Sequence, residues 1–478
     1  MSNFKTKKEK HDAMQTAYWL DEDLKYHASA ALRATAETLL ETLYAVSGHK
    51  RKARDKHLPQ LEIVLLGLLK ASQTQHQCMA IQLGANSFSG LQSLTYRVTV
   101  RLIIDGLLKL QFLIIHKGYY GGIVGVVSRL QLTEPMLRIL KESELDPNLI
   151  FSVRPRQLIR IKPPKGSSNK KPCLSSTEEA EDLRIENDLT SYNRSLEKTF
   201  IDLCVSEDEE FQINQRMARK VKETGEDRPS RLWLDKKFVY RVFNNNSMEL
   251  GGRHYGGWWQ TVPSEWRQRI VIDCEKTVEV DYGQQHFRML YQFESSSKAT
   301  TRSDLYQVDG MDLKHRDDNK GVYTALLNAS SQNQVVRLIG EKMRKGIWYK
   351  DGFPDGIKNA TALLKVLQAQ HPEIEKYFYS GIGLSLQNTD SKIMHQVIIR
   401  LLTEHDVVAL PIHDSVIVKG KYKDLLKGIM EGVYVDVMGV KPMLKVNDSM
   451  EDKYLSLMDS NKGFQTRCKG FKESVTGY

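Results

Sequence analysis

The sequence predicts an α+β protein, with a mainly helical N-terminal module followed by an antiparallel sheet flanked by helices. Three observations lead there. Val278-Glu279-Val280-Asp281 alternates with the period of a half-buried strand, then gives way to helical spacing at Phe287, Leu290 and Tyr291. The apolar runs Val407–Ile412 and Ser415–Lys419 are separated only by His413-Asp414, which is the spacing of a tight hairpin. Upstream, helical patterns at 61–69 and 93–109 lead into two short apolar runs around a glycine-rich tip.

Length and charge set the outer bounds. A chain of 478 residues is expected to form two or three domains, and a hydrophobic fraction of 41% permits real cores. The formal net charge of +10 suits a polyanionic partner, although a soluble basic protein without one has the same balance. Cys78, Cys173, Cys204, Cys274 and Cys468 lie far apart with no metal-ligand spacing, which fits a reducing compartment. Residues 1–10 are basic without an apolar signal core, and the most apolar region, 98–115, is broken by Arg101, Asp105 and Lys109. The expectation is a cytoplasmic protein with no membrane partner.

In chain order, residues 1–57 read as a basic tail followed by a helix over 25–48, with Leu32, Leu39, Leu40 and Leu43 on one side. Residues 58–145 give helix, helix, hairpin: Leu61–Leu69, Ser93–Lys109, then Gln111–His116 and Val126–Leu132 around Lys117-Gly118-Tyr119-Tyr120-Gly121-Gly122. This order resembles a winged helix. The resemblance implies that Thr95, Arg97, Thr99 and Arg101 face the major groove of DNA, with Lys117, Tyr119 and Arg129 on the backbone. A protein-interaction or spacer role fits the same pattern. Residues 146–175 read as a basic, proline-containing linker, and 176–230 as helical.

From 231 to 455 the motifs become dense. Leu250–Pro263 combines four glycines, which let backbone approach a ligand, with Arg253 and Gln260 as donors. Trp258 and Trp259 are expected in a core rather than stacked on bases. Asp281 stands at a strand-to-helix junction, where it is either a helix cap or a carboxylate presented to a cleft. Arg316, Lys320, Thr324 and Asn328 recur every four residues, forming one helical stripe about 18 Å long. Such a stripe is either a solvated face or a pair of cations spaced for a triphosphate. A two-residue turn normally takes glycine or asparagine, so His413-Asp414 breaks a local rule in the way functional sites do. Residues 456–478 read as a basic tail.

Taken in order, these segments resemble the palm and fingers of family A DNA polymerases and their relatives, the single-subunit phage-type RNA polymerases. Val280-Asp281-Tyr282-Gly283-Gln284 looks like the first metal motif, Arg316-xxx-Lys320 like the fingers motif and Ile412-His413-Asp414-Ser415 like the second metal motif. Gly252-Arg253 through Gln260, Asp304-Leu305-Tyr306 and Gln387-Asn388-Thr389-Asp390 have counterparts in the right places. The resemblance spans about residues 231–450 and implies a right-hand polymerase preceded by the winged-helix-like module, with 176–230 as thumb on position alone. It implies two Mg2+ ions, or Mn2+, on Asp281 and Asp414, with nucleoside triphosphates and a primer-template DNA duplex as partners. Arg316 and Lys320 would neutralise the triphosphate, with Thr324, His286 and Tyr282 also on the nucleotide. Arg253, Gln260 and Gln387 would hold the nascent duplex, and His413 its end.

The chain departs from that pattern at His286, where many family A DNA polymerases carry a glutamate that helps to exclude ribonucleotides. Thr324 and Asn328 stand on the stripe, and Tyr323 stands off it. The leading expectation is a DNA polymerase without proofreading, of a size that suits a phage or mobile element. The rivals are a single-subunit RNA polymerase or primase, and a non-catalytic DNA-binding replication initiator or regulator.

Overall fold

The computed structural model describes residues 17–476 apart from 28, 49–52, 75–76, 89–90, 92, 121–124, 153–156, 165–175, 225–228, 230, 298–300 and 448–449. The first sixteen residues of the expected basic N-terminal tail, Gly121 and Gly122 of the hairpin tip, and 153–156 and 165–175 of the expected linker lie outside the described residues. The architecture is mixed α and β, built on two large apolar cores and a small third.

The first core takes in Tyr18, Leu24 and Tyr26 and then α1 (Ser29–Ser47), which buries Leu32, Ala36, Leu39, Leu40 and Leu43 at helical spacing. It packs against α2 (Arg54–Ala71), whose Leu61, Val64, Leu65 and Leu68 are buried in the same cluster. Each such leucine contributes about 1.5–3 kcal/mol, so α1 belongs to this module and the expected boundary at 57/58 falls inside one core. After β1 (Cys78–Ile81) comes α3, π-helical over Arg97–Ile104 and α-helical over Asp105–Lys109. Then β2 (Leu113–His116) and β3 (Ser128–Leu132) pair antiparallel, and β1 lies on the far side of β3. Sequence reading passed over β1 because all four of its residues are buried, which leaves no alternation to detect.

The second core surrounds the sheet that carries the site. Its strand order is β4 (Ile201–Leu203), β7 (Ile270–Ile272), β8 (Glu275–Tyr282), β10 (Ser415–Lys419), β9 (Leu410–Ile412), with β11 (Leu444–Asn447) paired to β8 beyond β7. A separate ribbon pairs β5 (Tyr240–Asn244) with β6 (Ser247–Tyr255). Beside these pack α4 (Ser176–Glu197), α6 (Gln285–Phe293), α7 (Arg316–Asn328), α8 (Gly383–His405) and α9 (Lys423–Met438), whereas α5 (Glu207–Thr224) lies on the outside with Ile213 turned in. Ile185, Leu189, Tyr192 and Leu196 of α4 are buried in this core, and the Tyr192 hydroxyl donates to the Ala409 carbonyl.

The C-terminal segment is docked rather than loose. In α10 (Lys462–Thr476), Arg467 forks onto the buried Asp202 at 2.7 and 2.9 Å, and Phe464 and Phe471 pack on Phe200. Phe464, Cys468 and Phe471 at i, i+4 and i+7 were the signal for it. Lys70 of α2 and Asp235 form a buried ion pair at 2.9 Å that ties the two large cores together. Among the described residues no helix is long and apolar enough to cross a membrane.

Candidate active site

Strand β8 buries Val278, Val280 and Tyr282 on one face and turns Glu279 and Asp281 to the other. Its register with β10 runs from Thr277↔Lys419 to Asp281↔Ser415, so Asp281 sits at the end of the ladder. There the Tyr282 amide donates to the Asp414 carbonyl at 3.0 Å, which fixes the turn residue beside the strand end. Asp281 caps no helix: the residue before α6 is Gln284, in a left-handed conformation, and Oδ1 of Asp281 is buried without a hydrogen-bond partner. Burial first, then the charges of Asp414 and Glu279, push its carboxyl up to about 7, against the pull of Lys320 and Lys445.

These observations test whether the residues fit a divalent cation. Glu279 is already engaged, accepting from Ser415 Oγ at 2.5 Å and from Arg267 at 3.3 Å. Asp281 and Asp414 are left as two carboxylates close enough for the charge of one to act on the other, and Asp281 keeps an orphaned oxygen. That donor set fits a hard cation, whose other coordination positions would fall to non-protein oxygens. Among the described residues no group of three His, Cys, Asp or Glu side chains is arranged to hold a metal. His413 takes φ +55° to make the two-residue turn and is exposed at its tip. A non-glycine residue held there costs about 1–3 kcal/mol.

The expected stripe is one helix, α7, with Lys320, Thr324 and Asn328 exposed and Arg316 partly so. Lys320 acts on the Asp281 charge and lies 6.0 Å from the ring of Tyr306. Arg316 is held by Asp304 at 2.6 Å and Asp317 at 2.7 Å. Burial opposes ionisation of Asp304, yet the Arg316 contact and the Tyr306 amide hold its carboxyl below the usual range.

Behind the hairpin tip, Arg253 on β6 donates to Asp390 of α8 through Nε at 2.9 Å and through Nη2, and His286 Nε2 lies 3.4 Å from the same carboxylate oxygen. Gly252 permits this approach: its φ is +87°, and a Cβ there would meet Phe243 at 2.7 Å and Ser391 at 2.8 Å. Asp390 is the functional candidate that sequence reading did not single out. Gln387, one turn earlier on α8, is half-buried.

Other expected site residues are placed elsewhere. Tyr282 shares the parity of Val278 and Val280, so its ring is 1% exposed in the core and its hydroxyl donates to the Met430 carbonyl at 2.7 Å rather than reaching a nucleotide. The Gln260 amide nitrogen donates to the His254 and Pro411 carbonyls at 3.0 Å each, so it braces the site instead of offering that donor to a duplex. Trp258 and Trp259 are in the core, as expected. In the N-terminal module Arg97, Arg101 and Lys117 are exposed, with Arg101 3.3 Å from Asp105. Thr99 is buried against Gln60 at 3.2 Å, and Arg129 is 1% exposed, so neither is presented to a partner.

No protein-family model matches the chain, and no curated protein matches it. Among solved structures it is similar to the POL domain of Pol1 from M. smegmatis, in complex with DNA primer-template and dNTP, at 11% identity and a TM-score of 0.30. The match covers 66% of this chain and 60% of that one.

Proposed function

We propose that the chain is a template-directed nucleotidyltransferase, a DNA polymerase that adds deoxynucleotides to a 3′-hydroxyl, with Mg2+ or Mn2+ at Asp281 and Asp414. The observation that carries this reading is the pairing of β8 with β10, which brings Asp281 and its orphaned oxygen beside the turn that holds Asp414, with the charge of Lys320 on α7 acting on it. Divalent ions bound there supply Lewis-acid activation of the hydroxyl and neutralise the leaving pyrophosphate. The chain's own residues do the rest. Lys320 meets the triphosphate from one turn of α7, with Arg316 at its foot and Thr324 beyond. Arg253, Gln387 and His413 line the side where a primer end would lie. No protein nucleophile is required.

In the same reading, 231–455 is palm and fingers, and the N-terminal module is a winged helix that recruits the enzyme to duplex DNA. The order α2, β1, α3, β2, β3 with sheet order β1-β3-β2 supports that assignment, as do exposed Arg97 and Arg101 four residues apart on α3. Replacing both by alanine is expected to weaken duplex binding and to lower the slope of log affinity against log salt by about 2, one counterion per lost phosphate contact. An unchanged slope in a fluorescence-anisotropy titration would remove the module from the DNA.

The reading is tested by offering the purified protein separate dNTP and NTP pools on primed and unprimed templates. Extension of a primer with dNTPs is the expected result. Ribonucleotide synthesis, primed or not, would make it an RNA polymerase or primase, and no incorporation from either pool would leave a DNA-binding protein without catalysis.

A further inference from the structure

Asp390 is a carboxylate in the wrong place for a core and the right place for a clamp. It sits within α8 with its side chain fully buried, and its Oδ2 takes every contact. Two come from Arg253, and His286 lies 3.4 Å from the same atom. Oδ1 has no partner among the described residues. A carboxylate so placed is stable only while a cation neutralises it, and Arg253 is that cation.

The turn that carries Asp414 lies beside the strand of Arg253: the ring of Tyr255, two residues on from Arg253 in β6, packs 6.2 Å from that of His413. The charge of Asp414 acts on Arg253, after that of Asp390. Two acids therefore act on one arginine, 19% exposed and so free enough to change partner. Arginine binds a carboxylate through a planar fork, and once it engages Asp414 it covers the oxygens that a divalent ion would need. His286, beside the same oxygen of Asp390, helps to hold the fork where it is.

We infer that Asp390 is a positioning residue that holds Arg253 away from Asp414 and so keeps that carboxylate open to a divalent cation. The inference rests on the reading of Asp281 and Asp414 as the cation site, and predicts that the charge of Asp390, though it touches no cation, sets the affinity for one. Asparagine at 390 keeps the shape and loses the charge, which releases Arg253 to Asp414.

The test is Mn2+ binding to the full chain without nucleotide or DNA, followed by electron paramagnetic resonance of the free ion. Wild-type protein is expected to bind Mn2+ and Asp414→Asn to lose it. Asp390→Asn should bind Mn2+ about tenfold more weakly, the scale of one competing close charge pair. The double variant Asp390→Asn/Arg253→Gln, which removes the competing cation as well, should recover wild-type affinity. Circular dichroism and the unfolding temperature of each variant establish that it is folded. Wild-type affinity in folded Asp390→Asn would overturn the inference, and so would a double variant as weak as the single one, because the loss would then not pass through Arg253. Absence of Mn2+ binding by the wild type, or its survival in Asp414→Asn, would instead bring down the cation-site reading itself.

Discussion

Asp281→Asn and Asp414→Asn are each expected to reduce nucleotide incorporation by about a thousandfold or more, the scale of losing several kcal/mol of charge stabilisation at the reacting phosphate. The same Asp281→Asn change is expected to raise, not lower, the unfolding temperature in metal-free buffer. Asp281 is pressed against Asp414 and Glu279 with one oxygen unpartnered, so its charge works against folding. Replacing it with a neutral isostere relieves that repulsion, as is common where a site is built for a ligand rather than for stability. Primer extension and thermal unfolding measured on the same preparations check both halves. Loss of activity together with loss of stability would mark Asp281 as a structural residue.

The pH dependence follows from the same cause. In the folded protein burial and the neighbouring carboxylates hold the Asp281 proton up to about 7, whereas an unfolded chain releases it near its ordinary 3.8. Between those values the folded state binds more protons, so stability falls as pH rises through the window. Below about pH 4 the group costs nothing, and above 7 its full penalty is present. Denaturant unfolding without metal should therefore show wild type losing stability relative to Asp281→Asn between pH 4 and 7, by about 1–3 kcal/mol. Saturating Mg2+ at pH 7.5 should close the gap, because the cation replaces the proton.

The parts of the site legible in the sequence are those whose signal is local. Val278-Glu279-Val280-Asp281 showed its two faces by parity, and Arg316, Lys320, Thr324 and Asn328 fell on one face because α7 runs unbroken through them. The same parity could have removed Tyr282 from the cleft, since it follows Val278 and Val280 inward. Helical phase could likewise have separated buried Thr99 from exposed Arg97 and Arg101. What could not be read is pairing at a distance. Arg253 and Asp390 are 137 residues apart, and nothing in either segment announces the other. Glu279 shares the face of Asp281, but Ser415 and Arg267 hold it, and neither partner is near it in sequence. Gln260 looked like a donor to a ligand because its segment is rich in glycine, but the carbonyl it serves, that of Pro411, arrives from a strand more than a hundred residues later.

That carbonyl leads to the second large effect, Trp259→Ala, which is expected to cost about 3–5 kcal/mol of stability. Trp259 is 0% exposed, packs edge to face with Trp258 at 6.2 Å, and donates its indole N–H to the Pro411 carbonyl at 3.1 Å. Gln260 donates to the same oxygen at 3.0 Å. Pro411 belongs to β9, three residues before Asp414, so the tryptophan sets the height of the strand that delivers the second carboxylate. Trp259→Phe keeps most of the ring and loses one of two donors, which should cost about 1 kcal/mol beyond the packing change. Gln260→Ala should cost about the same, because the indole still satisfies the carbonyl. Chemical denaturation measures all three. A surface platform for bases would behave in the opposite way: Trp259→Ala would leave stability intact and weaken binding to single-stranded or primed DNA by about 1–3 kcal/mol. Large loss of stability, with DNA affinity kept in the folded fraction, is the result that places Trp259 as the strut beneath Asp414.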